Sequence, residues 1–80
     1  MKGELTLRKR RFNCYHIYLN GRHVGRTQLA GIPAIWWSVE KYDEENPFYP
    51  RYHYVPDEKG YSIWVNTPEE ALQEFFINQI

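Results

Sequence analysis

Cys14, His16 and His23 are the residues whose types and spacing come nearest to a reactive site in this chain. Cys14 and His16 are two apart in a β-rich run, which places them on one face of a strand. His23 falls diagonally opposite His16 if the chain reverses at Asn20-Gly21. Three such side chains on one patch have the makings of a metal site. The paired Cys and His spacing of a zinc motif is missing, however, and the plainer reading is three ordinary strand residues. A thiol nucleophile fits less well still, because same-face neighbours on a strand stand roughly 7 Å apart and no third residue orients the imidazole. Asp43-Glu44-Glu45 offers paired carboxylates without the buried setting that would raise one pKa, and reads as a solvated loop. Glycine-rich phosphate loops are absent. No cofactor and no bound metal are expected, and the chain should act by docking, without turnover.

Charge is the stronger signal. Residues 1–30 carry seven Lys/Arg and one Asp/Glu, and residues 31–80 carry three and nine, so a chain of zero net charge divides into halves of +6 and −6. Such a split suits one surface made for an anionic partner and another made for something else. Arg8, Lys9, Arg10, Arg11, Arg22 and Arg26 are the candidate phosphate contacts of a nucleic-acid-binding module, since a returning hairpin strand carries Arg26 back towards Arg10 and Arg11. His16, Tyr18 and His23 would add stacking surface for an unpaired base. The competing reading is intramolecular, with the basic hairpin paired against Glu69, Glu70 and Glu74 of a C-terminal helix.

A second candidate surface runs from Tyr42 to Tyr54, where Pro47 and Pro50 stiffen a loop rich in rings. Proline limits the entropy lost on docking, and Tyr, Phe and Arg supply desolvated anchors. Phe48, Tyr49, Arg51 and Tyr52 are therefore the expected contacts with a protein partner. The leading expectation is a small modulator or inhibitor of a larger nucleic-acid-processing machine, of the compact kind that phages and other mobile elements encode, with nucleic-acid binding as the alternative. Rings that close over an open end of the core would leave the same pattern. Aromatic residues on both sides of the strands leave a homodimer open.

The elements that must position these residues are legible in turn. Asn20-Gly21 sits between two β-rich runs and predicts a type I′ hairpin in which Leu19 faces Arg22, Ile17 faces Val24 and Tyr15 faces Arg26. Ile17, Val24, Leu19 and Tyr15 are the expected buried face, with the Arg22 and Arg26 stems along its rim; Phe12, Cys14 and Tyr18 form the rival face. Glu4 to Arg8 alternates as a leading strand, and Lys9-Arg10-Arg11 marks a turn or bulge. Residues 34–40 suit a helix or a strand, and the Trp-Trp pair favours the strand. Trp36 and Trp37 would then point opposite ways, so one of them needs cover. Asp43 to Pro50 is a loop. Arg51–Val55 and Tyr61–Val65 flank Pro56 to Gly60 as a second hairpin. Thr67-Pro68-Glu69-Glu70 begins a helix with an N-cap, a first-turn proline and a capping-box glutamate, and Ala71, Leu72, Phe75, Phe76 and Gln79/Ile80 lie on or beside its apolar stripe.

The expected fold is a single α+β domain over residues 1–80, with an antiparallel sheet of about four to six strands and the helix on one face. Fourteen aromatic rings help so short a chain close a core and exceed what one small core hides. A lone cysteine excludes an internal disulfide and fits a reducing cytoplasm. The N-terminal MKGELTLRKR lacks the apolar segment of a signal peptide, and no stretch reaches membrane-spanning length, so a cytoplasmic location is expected. YHIYLNGRHVGRT followed by IWVNTPEEALQEFF resembles, in shape, the sheet and helix of integrase arm domains that contact DNA. The resemblance covers about a third of the chain, is interrupted from Gln28 to Gly60, lacks a diagnostic motif and transfers no binding residues.

Overall fold

The computed structural model describes residues 4–31, 33–45 and 51–79, with side chains described as far as Phe75. Seven strands precede one helix: β1 (Leu5–Arg11), β2 (Cys14–Leu19), β3 (Arg22–Ala30), β4 (Trp36–Ser38), β5 (Glu40–Tyr42), β6 (Tyr52–Tyr54), β7 (Trp64–Val65) and α1 (Pro68–Gln79). All pairings are antiparallel and α1 packs on the sheet, so the expected α+β architecture is present.

The central hairpin forms where Asn20 and Gly21 take φ of 54° and 86°, the positive pair that a type I′ turn needs and that Asn and Gly tolerate best. Leu19 faces Arg22 and Tyr18 faces His23, as a two-residue loop requires. Beyond that point the expected register fails. Val24 is an extra residue, so Ile17 faces Gly25, His16 faces Arg26 and Tyr15 faces Thr27. The cause lies in the packing of the helix. A Cβ at Gly25 would stand 2.6 Å from the Phe75 ring and 2.4 Å from the Glu40 carbonyl oxygen, so the bulge puts the one residue without a side chain beneath that ring.

The leading strand runs on to Arg11, with a register irregularity between Lys9 and Arg11 where the basic run was expected to break. Asn13 turns the chain at φ 62°. Residues 36–42 are extended, and β4 and β5 keep one register against β3, with Ala30 facing Trp36, Leu29 facing Trp37, Arg26 facing Glu40 and Gly25 facing Lys41. They separate at Val39, whose carbonyl accepts the Val55 N–H at 2.9 Å. That division accounts for seven strands in place of six. On either side of it, β5 pairs β6 and β4 pairs β7. The Asp57 carboxylate fastens the tip between β6 and β7 by accepting the Lys59 and Tyr61 N–H groups at 2.8 and 3.0 Å, and Gly60 closes it at φ 92°.

Helix α1 starts as its cap predicts. Thr67 Oγ1 accepts the Glu70 N–H at 3.1 Å, a bond worth about 1 kcal/mol. The Glu70 carboxylate reaches back to the Asn66 N–H at 2.8 Å, one residue before the cap. Ala71 and Phe75 face the sheet and join Ile17, Val39 and Val55 in the buried core, with Leu5, Leu7, Val24, Ile63, Val65 and Leu72 packed around them. Ile17 and Val24 thus lie on the core side as expected, and Leu19 and Tyr15 are half-buried. Phe12 and Tyr18 stay off the core, but Cys14 on the rival face is itself buried. Trp37 rests against Tyr15, and Trp36 is the uncovered member of the pair. Among the described residues no helix is long and apolar enough to cross a membrane.

The contact between Gly25 and Phe75 carries a prediction. Gly25→Ala forces the ring or the β5 backbone to move and should cost about 2 kcal/mol or more, read as a lower midpoint in urea unfolding. An unchanged midpoint would show that the helix does not need this close approach.

Candidate functional site

Directly opposed residues share a sheet face. Arg8, His16, Arg26, Glu40 and Tyr54 form one such row across β1, β2, β3, β5 and β6, on the side away from the helix, since the neighbouring Gly25 lies beneath Phe75. Glu40 anchors it. The residue is 5% exposed, and its carboxylate accepts Arg26 Nε–H at 3.0 Å and the Ser38 hydroxyl at 2.6 Å. Ser38 Oγ in turn accepts the Gln28 N–H at 3.0 Å. The Arg26 guanidinium then lies 3.8 Å from the centre of the Tyr52 ring.

Beside this row stands a ladder of rings. His23 is stacked between His16, at 4.3 Å and 8°, and Tyr42, at 4.5 Å and 13°. Tyr52 leans on Tyr42 at 5.2 Å, and Tyr18 leans on His23 at 5.4 Å. His23 Nε2 lies 3.1 Å from the Gly25 carbonyl oxygen, with the Tyr52 hydroxyl 3.2 Å from the same nitrogen. A carbonyl can only accept, so the contact with Gly25 is a hydrogen bond when the proton is on Nε2. Burial, the neighbouring His23 and then Arg10, Arg26 and Arg11 push His16 down to a pKa of about 4. Burial also lowers His23 and raises the Tyr52 phenol. His16 is consequently neutral at pH 7.

The six expected phosphate contacts do not converge. Arg8, Lys9, Arg10 and Arg11 are exposed along β1, and the ion pairs among the described residues include none of them. Arg8 lies over the Tyr18 ring at 5.5 Å, and Arg8, Lys9, Arg10, His16 and Tyr18 line an open groove. Arg22 is elsewhere, at the hairpin tip, paired with Glu44. Arg26 is half-buried against Glu40, turned onto the ring face by the Val24 bulge rather than along the rim. Those two arginines meet acids of the second half of the chain, but not the helix glutamates. Of the expected protein contacts, Phe48 and Tyr49 lie outside the described residues. Arg51 is exposed, while the Tyr52 ring is held between Arg26, His23 and Tyr42. The structure brings His16 and His23 together and buries Cys14, and among the described residues no three His, Cys, Asp or Glu side chains gather as metal ligands.

Sequence reasoning missed two features of this face. Tyr42 completes the ladder, a placement that depends on the β3–β5 register past the bulge. Phe12, Tyr54 and Trp64 border a cleft at the other end of the face, and Trp64 with Trp36 and Gly31 walls an apolar hollow beside it. Phe12 is 81% exposed, and Tyr54, Trp36 and Trp64 are all more than a third exposed. One of Trp36 and Trp37 was expected to need cover, and it is Trp36; the others had no signal beyond the excess of rings.

The lowered His16 pKa sets a pH window. Above 6.5 the ring is neutral folded or unfolded; between 6.5 and about 4 only the unfolded chain takes up the proton, so stability falls as the pH drops through that range. The melting temperature should fall from pH 6.5 to 4, and His16→Phe should flatten that dependence. An equal slope in the variant would mean that other groups carry it. Comparison with protein-family models, with curated proteins and with solved structures gives no match to this chain.

Proposed function

We propose that the chain is a non-enzymatic nucleic-acid-binding module that grips phosphates along β1 and offers its ring face to what lies beside them. One observation carries this: Arg8, Lys9, Arg10 and Arg11 follow one another along an edge strand, outside the ion pairs that occupy Arg22 and Arg26, and the first three border a groove shared with His16 and Tyr18. Exposed cations in a line attract a polyanion at long range, and aromatic rings next to them add a surface that does not discriminate between bases.

Salt tests it. Affinity for a labelled oligonucleotide, measured by fluorescence anisotropy, should fall steeply with added salt. Replacing Arg8, Lys9, Arg10 and Arg11 together by alanine should reduce the log-log slope by about three units. Failure of any oligonucleotide to bind at low salt removes this function.

The apolar end of the same face favours a second reading, in which a protein is the partner and the module regulates or inhibits a nucleic-acid-processing assembly. Phe12, Trp36, Tyr54 and Trp64 are rings of the kind that serve as interface anchors, and they are exposed together. Capture from lysate on immobilised protein should then be lost with Trp64→Ala and Phe12→Ala and persist in high salt. An unchanged set of captured proteins in both variants sinks this reading.

A further inference from the structure

The ring ladder stops one strand short of the sheet edge. His16, His23 and Tyr42 come from β2, β3 and β5, neighbours in the sheet, and their spacings of 4.3 and 4.5 Å are close to the strand spacing itself. The next strand outward is β1, where the residue opposite His16 is Arg8, not a ring. Its guanidinium lies over Tyr18, and the groove lined by Arg8, Lys9, Arg10, His16 and Tyr18 opens where a fourth ring of the ladder would stand.

We infer that this groove is a subsite for one unpaired nucleobase, stacked on His16 as the fourth ring of the ladder with its phosphate held by Arg8 and Arg10, so that the nucleic acid taken is single-stranded. The inference rests on the proposed function and adds to it the form of the ligand. A planar heteroaromatic ring is what extends a parallel stack, and the tilted Tyr18 ring gives the groove a wall. Lys9 and Arg11 stand along the same strand to meet the phosphates on either side. A duplex does not fit this use, because its base faces are covered by their neighbours in the stack. Bases read by stacking alone are accepted with little regard to sequence.

The test compares RNA and DNA single strands of one sequence with the same strand carrying an abasic position, with its duplex and with adenosine monophosphate. Single strands should bind about tenfold or more tightly than the abasic strand, and His16→Ala should erase that advantage while leaving the abasic affinity unchanged. His16→Phe should restore it. In nuclear magnetic resonance spectra the His16 ring protons should move upfield with the intact strand and stay in place with the abasic one. Equal binding of intact, abasic and duplex forms overturns the subsite while leaving the basic edge as a phosphate contact. Competition by adenosine monophosphate as strong as by the oligonucleotide also overturns it, since a free nucleotide would then be the occupant. Absence of binding by every form removes the subsite and the proposed function together.

Discussion

A buried carboxylate at the centre of the sheet fixes most of what surrounds it. Glu40 lies just past the point where one strand separates into β4 and β5, and it is almost wholly removed from water. A carboxylate there is tolerable only if its oxygens are satisfied, and removal of a partner from a buried ion pair costs on the order of 3–5 kcal/mol. Arg26 meets one oxygen and the Ser38 hydroxyl the other, so β3 is tied to both halves of the divided strand by one group. Ser38 does a second job by accepting the Gln28 N–H with its hydroxyl, at a place where the ladder between β3 and β4 gives way. With Arg26 committed to Glu40, its guanidinium is set over Tyr52, and Tyr52 bounds the ring ladder on the β6 side.

The two faces of the sheet are built by different physics. Beneath the helix, aliphatic side chains and Phe75 exclude water in the ordinary way, and the backbone comes close enough to the helix at Gly25 that no side chain fits. On the other face no element covers the sheet among the described residues, and the rings cover one another. A stack of His16, His23 and Tyr42 hides ring faces and leaves edges wet, which suits side chains with an apolar body and a polar rim. An eighty-residue chain can thereby protect both faces of a sheet with one helix.

Local rules were legible because they are local. Asn20-Gly21 needs only its own φ values, and Thr67 to Glu70 needs only the first turn of a helix. Leu5 and Leu7 alternate with Thr6 and Arg8 because one face is buried. The register beyond Val24 was not legible, since nothing within the hairpin announces that Phe75, fifty residues away in sequence from Gly25, must lie on the strand. One extra residue then reversed the side on which Arg26 lies, and with it the picture of six converging cations. The break at Val39 was hidden for the same reason: it is set by which partner, β6 or β7, each half of the strand meets. Of the expected site, the pairing of His16 with His23 was visible as a diagonal relation across the hairpin, whereas the place of Tyr42 beside them required the β5 register.

Charge separation along the chain is partly undone by folding, and the part that survives is informative. Arg22 and Arg26 are met by Glu44 and Glu40, so the acidic half of the sequence neutralises the hairpin that lies nearest to it. β1 is the edge of the sheet, paired only with β2, and its four cations stay in water. Exposed charge also protects an edge strand from pairing with other chains, which by itself would account for Lys9 or Arg11. It does not account for the location of the groove. Arg8 and Arg10 meet the open end of the stack there, and burial, His23 and then the field of Arg10, Arg26 and Arg11 oppose the proton on His16. A cationic field that adds to the effect of burial on an imidazole is also one that an incoming phosphate relieves. Stacking surface and anion attraction are therefore concentrated on the same side of His16, where a base and its phosphate can be held together.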